Sequence, residues 1–248
     1  MSLAIERIES PLFNGAVADE IAASLSDAIA DRGRATLVLA GGSTPSAIYR
    51  LLALPPRVHD IEWSKVVLYF GDERFVPQSD GKSNFKMVHD TLLHPLGAKA
   101  PRCISVDTTV ATPTEAARAY AEAIIKEEKL STGETPVFDL VLLGVGEDGH
   151  TASLFPHSPL LNESQGIAAA ATHPSDGTER VTILPEIIRA ARRLAFVVKG
   201  ESKSEIVQRV LEGAGDVDAY PANLYRSARG AVTWFLDSAA AVALTPTR

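Results

Sequence analysis

Five short runs rich in apolar residues constrain the fold of this chain more than any other feature of its sequence. They occupy residues 35–40, 66–71, 138–144, 194–198 and 231–236 (ATLVLA, VVLYFG, FDLVLLG, LAFVV and AVTWFL). A strand that is buried on both faces reads as a continuous apolar run, whereas a half-buried strand alternates apolar and polar residues. We therefore predict five strands whose two faces are both covered.

The segments between these runs carry helical signals. Residues 16–31 repeat apolar side chains at four-residue spacing and are followed by Gly33, a typical C-terminal cap. Start signals for three further helices stand at Pro45, at Ser83 and at the capping-box pair Thr112 and Glu115.

Strands that alternate with helices are typical of a mostly parallel sheet. Each apolar run is expected to be followed by a turn and a helix, and the stretch 156–177 is the one loop of looser composition. We predict a doubly wound, Rossmann-like α/β fold with helices on both faces of the sheet, forming one domain over residues 1–248.

Charge and cysteine content exclude several classes of protein. The 24 Lys and Arg residues against 31 Asp and Glu give a net charge of −7, which disfavours a nucleic-acid or anionic-membrane surface. Cys103 is the single cysteine, and the apolar runs are too short to cross a bilayer. Glu6 and Arg7 stand where a signal peptide needs apolar residues. We expect a cytoplasmic protein, either a monomer or a weak homo-oligomer.

Polar residues follow four of the predicted strands at the point where each strand ends. The segments are 41–45 (GGSTP), 72–74 (DER) and 145–150 (VGEDGH), with Lys199 and Lys203 after the fourth strand. In open α/β sheets, ligands bind beyond the carboxyl ends of the strands. These segments therefore predict one shared site.

The segment 41–45 has the properties of an anion-binding loop. Glycines let backbone N–H groups approach a ligand, the following helix presents its positive end, and Ser43 and Thr44 add hydroxyl donors. The segment lacks both the P-loop lysine and the spaced glycines of a dinucleotide fingerprint, so nucleotide binding is disfavoured. The alternative is an ordinary glycine turn with Thr44 as the helix N-cap.

His150, Asp148 and Asp72 could assemble a general acid/base site at the same sheet edge. The alternative is a structural histidine beside carboxylates that face water. For Arg180 and Lys203, the alternatives are pairing with a phosphate group or ordinary surface charge. The six histidines show no metal-ligand spacing, and no GxSxG nucleophile elbow is present, so neither a metal nor a nucleophilic serine is expected.

Three motifs together identify a family resemblance: residues 39–45 (LAGGSTP), 71–74 (GDER) and 144–156 (GVGEDGHTASLFP). They are similar to those of the 6-phosphogluconolactonases in the glucosamine-6-phosphate isomerase/6-phosphogluconolactonase family. The resemblance extends over most of the chain from about residue 33. It implies hydrolysis of 6-phospho-D-glucono-1,5-lactone to 6-phosphogluconate, the second step of the oxidative pentose phosphate pathway, without a cofactor.

The resemblance also implies roles for single residues. His150 activates water, Asp148 and Asp72 orient water, imidazole or sugar hydroxyls, and Arg74 stabilises charge on the carbonyl oxygen. The substrate phosphate is expected to be bound by Gly42, Ser43, Thr44, Arg180 and Lys203.

Two other functions remain open from the sequence. The deaminases of the same family usually have an aromatic residue in place of Arg74 and an Asn-Glu-Pro continuation in place of residues 153–156. A non-catalytic sugar-phosphate sensor normally carries a DNA-binding segment, and no such helix-turn-helix or basic region is evident. Two departures from the lactonase pattern, Ala40 for serine and His157 for Gly or Asp, fall on no expected catalytic group, and His157 is expected to affect the rim of the site.

Overall fold

The computed structural model describes residues 2–163 and 165–245. Its strands are β1 Leu3–Ile8, β2 Ala35–Leu39, β3 Val66–Phe70, β4 Asp72–Arg74, β5 Arg102–Cys103, β6 Leu140–Leu143, β7 Ala168–Thr172, β8 Glu179–Ile183, β9 Arg193–Val198 and β10 Ala231–Asp237. Its α-helices are α1 Phe13–Arg32, α2 Ser43–Leu52, α3 Arg57–Asp60, α4 Asn84–Val88, α5 His94–Leu96, α6 Pro113–Glu128, α7 Pro185–Ala190 and α8 Ser204–Glu212. A π-helical turn, His89–Leu93, joins α4 to α5. Short 3₁₀ segments lie at Trp63–Lys65, Gly97–Lys99, Pro159–Asn162, Glu201–Lys203 and Pro221–Ser227.

Seven strands form one parallel sheet in the order β1-β10-β9-β6-β2-β3-β5. The chain builds outward from β2 through β3 to β5, and then outward in the other direction from β6 through β9 to β10. The strand order therefore reverses between β2 and β6, which places the topological switch point at the centre of the sheet. The predicted doubly wound, mostly parallel α/β fold is confirmed.

The central strands are buried on both faces, as the apolar runs predict. Every residue of β2, β3 and β6 is buried. On the β9–β10 side, the ring of Trp234 stacks on that of Phe196 with centroids 4.1 Å apart. Large side chains of this kind contribute about 2–3 kcal/mol each when they are fully buried. Burial of the side chains on both faces of the sheet therefore supplies much of the stability of the fold.

A polar pair joins the amino ends of the two central strands. The carboxylate of Asp139, one residue before β6, accepts hydrogen bonds from the Thr36 main-chain N–H (2.8 Å) and hydroxyl (3.0 Å). The Thr36 hydroxyl in turn accepts a bond from the Asp139 N–H at 2.8 Å. This pair fixes one end of β2 against β6.

The predicted helix signals are confirmed at three places. Gly33 ends α1 in the left-handed conformation, with φ 75°. Ser83 caps α4 by accepting from the Lys86 N–H, and Thr112 and Glu115 form the complete capping box of α6.

Helix α2 begins earlier than the sequence predicts. Its first residue is Ser43 rather than Pro45, and its N-cap is Gly42. The N-cap assigned to Thr44 in the alternative interpretation is therefore wrong. Thr44 lies inside the first turn of the helix.

A second sheet was not predicted. Strands β4, β8 and β7 form an antiparallel sheet in that order, with Asp72 opposite Thr182. It contains residues 168–172, which the sequence assigns to a loop. The prediction that each apolar run leads into a helix is also wrong after β6, because the chain first builds this small sheet, and after β10, where turns follow. These strands are short and partly polar, so they carry no clear periodic signal.

The edge strands β1 and β5 were missed for a related reason. Strand β1 is largely exposed and contains Glu6 and Arg7, so its sequence does not resemble a core strand.

In the described part of the chain, no helix is long and apolar enough to span a membrane.

Candidate active site

A cleft of about 310 Å³ lies beyond the carboxyl ends of the central strands. Eight of the nine residues predicted for the site line it: Gly42, Ser43, Thr44, Asp72, Arg74, His150, Arg180 and Lys203. The ninth, Asp148, contacts His150 from outside the lining. The position matches the switch point of the sheet, where open α/β folds bind ligands.

The glycine loop after β2 is held close to its neighbours. Gly42 has a φ of 106°, a conformation that favours glycine. A Cβ on Gly41 would lie 2.2 Å from the Asn84 Oδ1, so a side chain there would collide. The Tyr49 hydroxyl accepts from the Ala40 N–H (3.0 Å) and donates to the Ala40 carbonyl (2.9 Å), which fixes the end of the strand. Residues 41–45, which lead into α2, line the cleft.

His150 and Asp148 form a close pair on the loop after β6. The His150 Nδ1 lies 2.6 Å from the Asp148 Oδ1, which also accepts the His150 main-chain N–H at 3.1 Å. Partial burial of Asp148 opposes its ionisation, but the hydrogen bonds and charge of His150 outweigh this and hold the pKa of Asp148 below its usual value. The sequence left open which carboxylate contacts the imidazole, and in the structure it is Asp148.

Two neighbours fix the position of the His150 imidazole. A Cβ on Gly146 would lie 2.1 Å from the His150 Nδ1, so glycine is required for the imidazole–carboxylate pair to fit. The imidazole packs against the Phe155 ring, with centroids 5.0 Å apart. With Nδ1 directed at Asp148, the imidazole has Nε2 free for the cleft.

Asp72 is buried and surrounded by donors. Its carboxylate accepts from the Ser153 hydroxyl at 2.7 Å and from the Asn84 amide at 3.2 Å, and the Arg180 guanidinium lies 3.6 Å away. Burial lowers the pKa of Arg180, partly offset by the charge of Asp72, and the guanidinium stays protonated. Asp72 is thus a fixed carboxylate beside a cation.

The Arg74 side chain contacts Lys82 and Asn84, which follow it shortly afterwards in the chain. One terminal nitrogen donates to the Lys82 carbonyl at 2.8 Å and to the Asn84 Oδ1 at 2.6 Å. Its Nε is buried and has no hydrogen-bond partner among the residues that the structure describes. Arg74 therefore retains donor capacity at the wall of the cleft.

Sequence reasoning missed two residues at the site. Asn84 and Ser153 both bond Asp72, and no role was predicted for either of them. Lys199 lines the cleft beside Lys203, with its ammonium 5.8 Å from the centre of the Phe13 ring. Lys199 was predicted to stand at the shared site because it follows a core strand, but no role was predicted for it.

His157 lies outside the lining of the cleft. It is exposed, adopts a φ of 60° and pairs through Nδ1 with the Asp218 carboxylate at 2.6 Å. Gly and Asp adopt this left-handed conformation more readily than most residues, which explains why those types are usual here. No three His, Cys, Asp or Glu side chains in residues 2–163 and 165–245 cluster as metal ligands.

The fold and the cleft define a Rossmann-like α/β enzyme whose site combines an imidazole–carboxylate pair with a glycine loop at the start of a helix. The family model of glucosamine-6-phosphate isomerases/6-phosphogluconolactonase matches residues 12–234. The chain is 33% identical over 222 residues to the 6-phosphogluconolactonase of Synechocystis, covering 90% of each protein. It therefore belongs to the glucosamine-6-phosphate isomerase/6-phosphogluconolactonase family.

Solved structures show the same fold in proteins of both activities. The 6-phosphogluconolactonase of Trypanosoma brucei superposes with a TM-score of 0.85 at 28% identity, covering 98% of this chain and 99% of that one. A monomeric glucosamine-6-phosphate deaminase superposes with a TM-score of 0.78 at 19% identity, covering 97% and 99%. Since this second likeness concerns the fold alone, the choice between the two activities depends on the residues of the site.

Proposed function

We propose that this protein hydrolyses 6-phospho-D-glucono-1,5-lactone to 6-phosphogluconate, the second step of the oxidative pentose phosphate pathway. The observation that carries the proposal is the His150–Asp148 pair, joined at 2.6 Å, in the same cleft as the glycine loop that begins α2. Such a cleft offers a base for ester hydrolysis at one end and an anion site at the other. The relatives named 6-phosphogluconolactonase support the same reaction.

The reaction begins with water activated by His150. Asp148 accepts a hydrogen bond from the Nδ1–H group and keeps the imidazole in the tautomer whose Nε2 is basic. Nε2 takes a proton as the water oxygen bonds to the lactone carbonyl carbon. Arg74 stabilises the negative charge that develops on the carbonyl oxygen. When the bond from this carbon to the ring oxygen breaks, the imidazolium returns its proton to that oxygen, which completes the hydrolysis.

The phosphate group of the substrate binds away from the reacting bond. Gly42, Ser43 and Thr44 offer main-chain N–H groups and hydroxyls at the positive end of α2. Lys203 and Arg180 add a point charge and a guanidinium fork. In this arrangement, Asp72 orients the sugar hydroxyls or the water while its own position is fixed by Ser153.

The proposal extends to the setting of the protein. We infer that residues 1–248 act as one 6-phosphogluconolactonase-like α/β domain, as a monomer or weak homo-oligomer. We infer a cytoplasmic location, where the pathway supplies a sugar-phosphate substrate, with no nucleic-acid or membrane partner. The negative net charge of −7 supports the absence of such anionic partners.

Incubation with freshly prepared lactone tests the proposed activity. We expect formation of 6-phosphogluconate well above the spontaneous hydrolysis measured in parallel without protein. A rate equal to the spontaneous rate would refute the proposal. Crystals soaked in 6-phosphogluconate test the site, and we expect the phosphate at Gly42 to Thr44 beside Lys203. Ordered binding only elsewhere would contradict that placement.

The deaminase activity is the second candidate because the fold is shared. Arg74 and the Ser-Leu-Phe-Pro sequence at 153–156 favour the lactonase. We expect no release of ammonia from glucosamine 6-phosphate. Ammonia release at a rate comparable to lactone hydrolysis would make the deaminase the better description.

A further inference from the structure

Asn84 connects three parts of the active site although it does not line the cleft. It is 1% exposed and stands at the first position of α4. Its side-chain amide donates to the Asp72 carbonyl at 2.9 Å and to the Asp72 carboxylate at 3.2 Å. Its Oδ1 accepts from Arg74 at 2.6 Å, and the same atom occupies the space beside Gly41.

The position of Asn84 is itself strongly determined. Its main-chain N–H donates to Glu73 at 2.7 Å, and the other Glu73 oxygen accepts from the Phe85 N–H at 2.7 Å and from the Ser83 hydroxyl at 3.1 Å. Glu73 therefore anchors the start of α4 to β4, the strand that carries Asp72 and Arg74. Because these bonds fix the main chain at Asn84, its side-chain amide is a fixed point against which Asp72 and Arg74 are positioned.

The effect of Asn84 on Arg74 is to fix one end of the guanidinium. The nitrogen that bonds Asn84 has the Lys82 carbonyl as its second acceptor, and the Nε is left buried without a partner in the described chain. Long arginine side chains are flexible unless several bonds restrain them. Removing the Oδ1 leaves a single main-chain acceptor to hold the guanidinium.

We propose that Asn84 is a positioning residue for the reaction, which aligns the Arg74 guanidinium with the developing oxyanion while holding Asp72 in place. The inference rests on the proposed lactonase function. It predicts that Asn84 acts on the transition state through Arg74, and that it contributes little to binding of the phosphate group. A displacement of about 1 Å at a reacting centre can cost about 10²-fold in rate.

The test combines Asn84→Ala with a matched control in the same helix turn. We expect Asn84→Ala to lower kcat by about 10- to 100-fold with KM changed by less than about threefold. Ser83→Ala removes the N-cap of the same helix and one bond to Glu73, but touches neither Arg74 nor Asp72. We expect it to lower the melting temperature while kcat stays within about threefold of the parent. An equal loss of kcat in both variants would show that Asn84 only supports the helix.

A double-mutant cycle identifies the residue through which Asn84 acts. If its effect passes through Arg74, adding Asn84→Ala to Arg74→Ala lowers kcat little further. If kcat of the double variant is instead lowered by the product of the two single-variant factors, the proposal is overturned. Asn84→Ser gives a second measurement if the alanine variant folds poorly, because serine is tolerated in a first turn but is too short to bridge both partners. Absence of activity in the parent protein refutes the lactonase, whereas an active parent with a normal Asn84→Ala variant refutes only this inference.

Discussion

The His150 imidazole has one nitrogen bonded to Asp148 and one nitrogen free for the cleft, so its removal is the most direct test of the chemistry. We expect His150→Ala to lower kcat by about 10²- to 10⁴-fold with KM little altered, because the imidazole takes a proton only as water attacks. Steady-state kinetics with the spontaneous rate subtracted measure this effect. If His150→Ala keeps a near-normal kcat while Asp72→Asn abolishes activity, the base is a carboxylate.

Lys203 tests binding apart from chemistry. The substrate phosphate does not change its charge during lactone opening, so its partners hold the ground state and the transition state about equally. We expect Lys203→Ala to raise KM with kcat largely retained. Lys65→Ala is a suitable control, because that lysine pairs with Glu62 outside the cleft and should leave both constants unchanged. A large fall in kcat at saturating substrate would assign Lys203 a part in the chemical step.

Single residues differ in how far their roles can be derived from the sequence. Asp148 and His150 lie within one short loop, and the sequence predicted both at a shared acid/base site, but only the structure identifies Asp148 rather than Asp72 as the partner of the imidazole. Asn84 was not predicted as part of the site because its neighbours Gly41 and Asp72 come from the loop after β2 and from strand β4. The geometry that gives Asn84 its role arises only when these segments fold together.

At the scale of an element, the loop after β6 needs a glycine at position 146, because a side chain there would collide with the His150 imidazole. We expect Gly146→Ala to reduce kcat by at least about tenfold, because the added Cβ would lie 2.1 Å from the His150 Nδ1 and displace the imidazole. Gly81→Ala is the matched control, since nothing lies within 4 Å of its added Cβ and its backbone is unstrained. Kinetics and thermal melting of both variants check the result. Normal turnover in Gly146→Ala would show that the loop relaxes without moving the base.

Helix α6 offers a change in stability without a change in chemistry. We expect Thr112→Ala to destabilise the protein by about 1 kcal/mol, because the Glu115 N–H loses its capping acceptor. For a protein of this size, this corresponds to a fall of about 2–4 °C in Tm. Since α6 contributes no residue to the cleft, kcat and KM should match those of the parent. Thermal melting followed by circular dichroism measures the shift, and an unchanged Tm would mean that water replaces the cap without cost.

The elements themselves were predictable to different degrees. Core strands such as β2 and β3 were predicted closely because burial on both faces leaves a continuous apolar run. Strand β7 is a run of alanines and a threonine without alternation, and β4 is three polar residues, so neither carries a strand signal. They become strands through pairing with β8 across the sheet, which is a tertiary effect.

At the scale of the whole molecule, the reaction without a metal that the histidine spacing in the sequence predicts can be tested directly. The structure described over residues 2–163 and 165–245 places no three His, Cys, Asp or Glu side chains where they could share an ion. We expect the lactonase rate to survive prolonged dialysis against EDTA. Loss of activity in EDTA with recovery on adding zinc would overturn the metal-free mechanism. Re-addition of magnesium alone serves as the control for effects of ionic strength.

The reversal of strand order between β2 and β6 has a consequence for how the active site forms during folding. The glycine loop follows β2 and the loop that carries His150 follows β6, about a hundred residues further along the chain, yet the strands pair directly at Leu37 with Leu140. The cleft therefore cannot exist in any partly folded species in which this long-range contact is open. Such contacts form slowly because bringing two distant segments together costs chain entropy before the contact itself stabilises the protein. Ligand affinity should thus appear in a single step during refolding, together with the centre of the sheet, and no earlier collapsed species can be trapped by substrate.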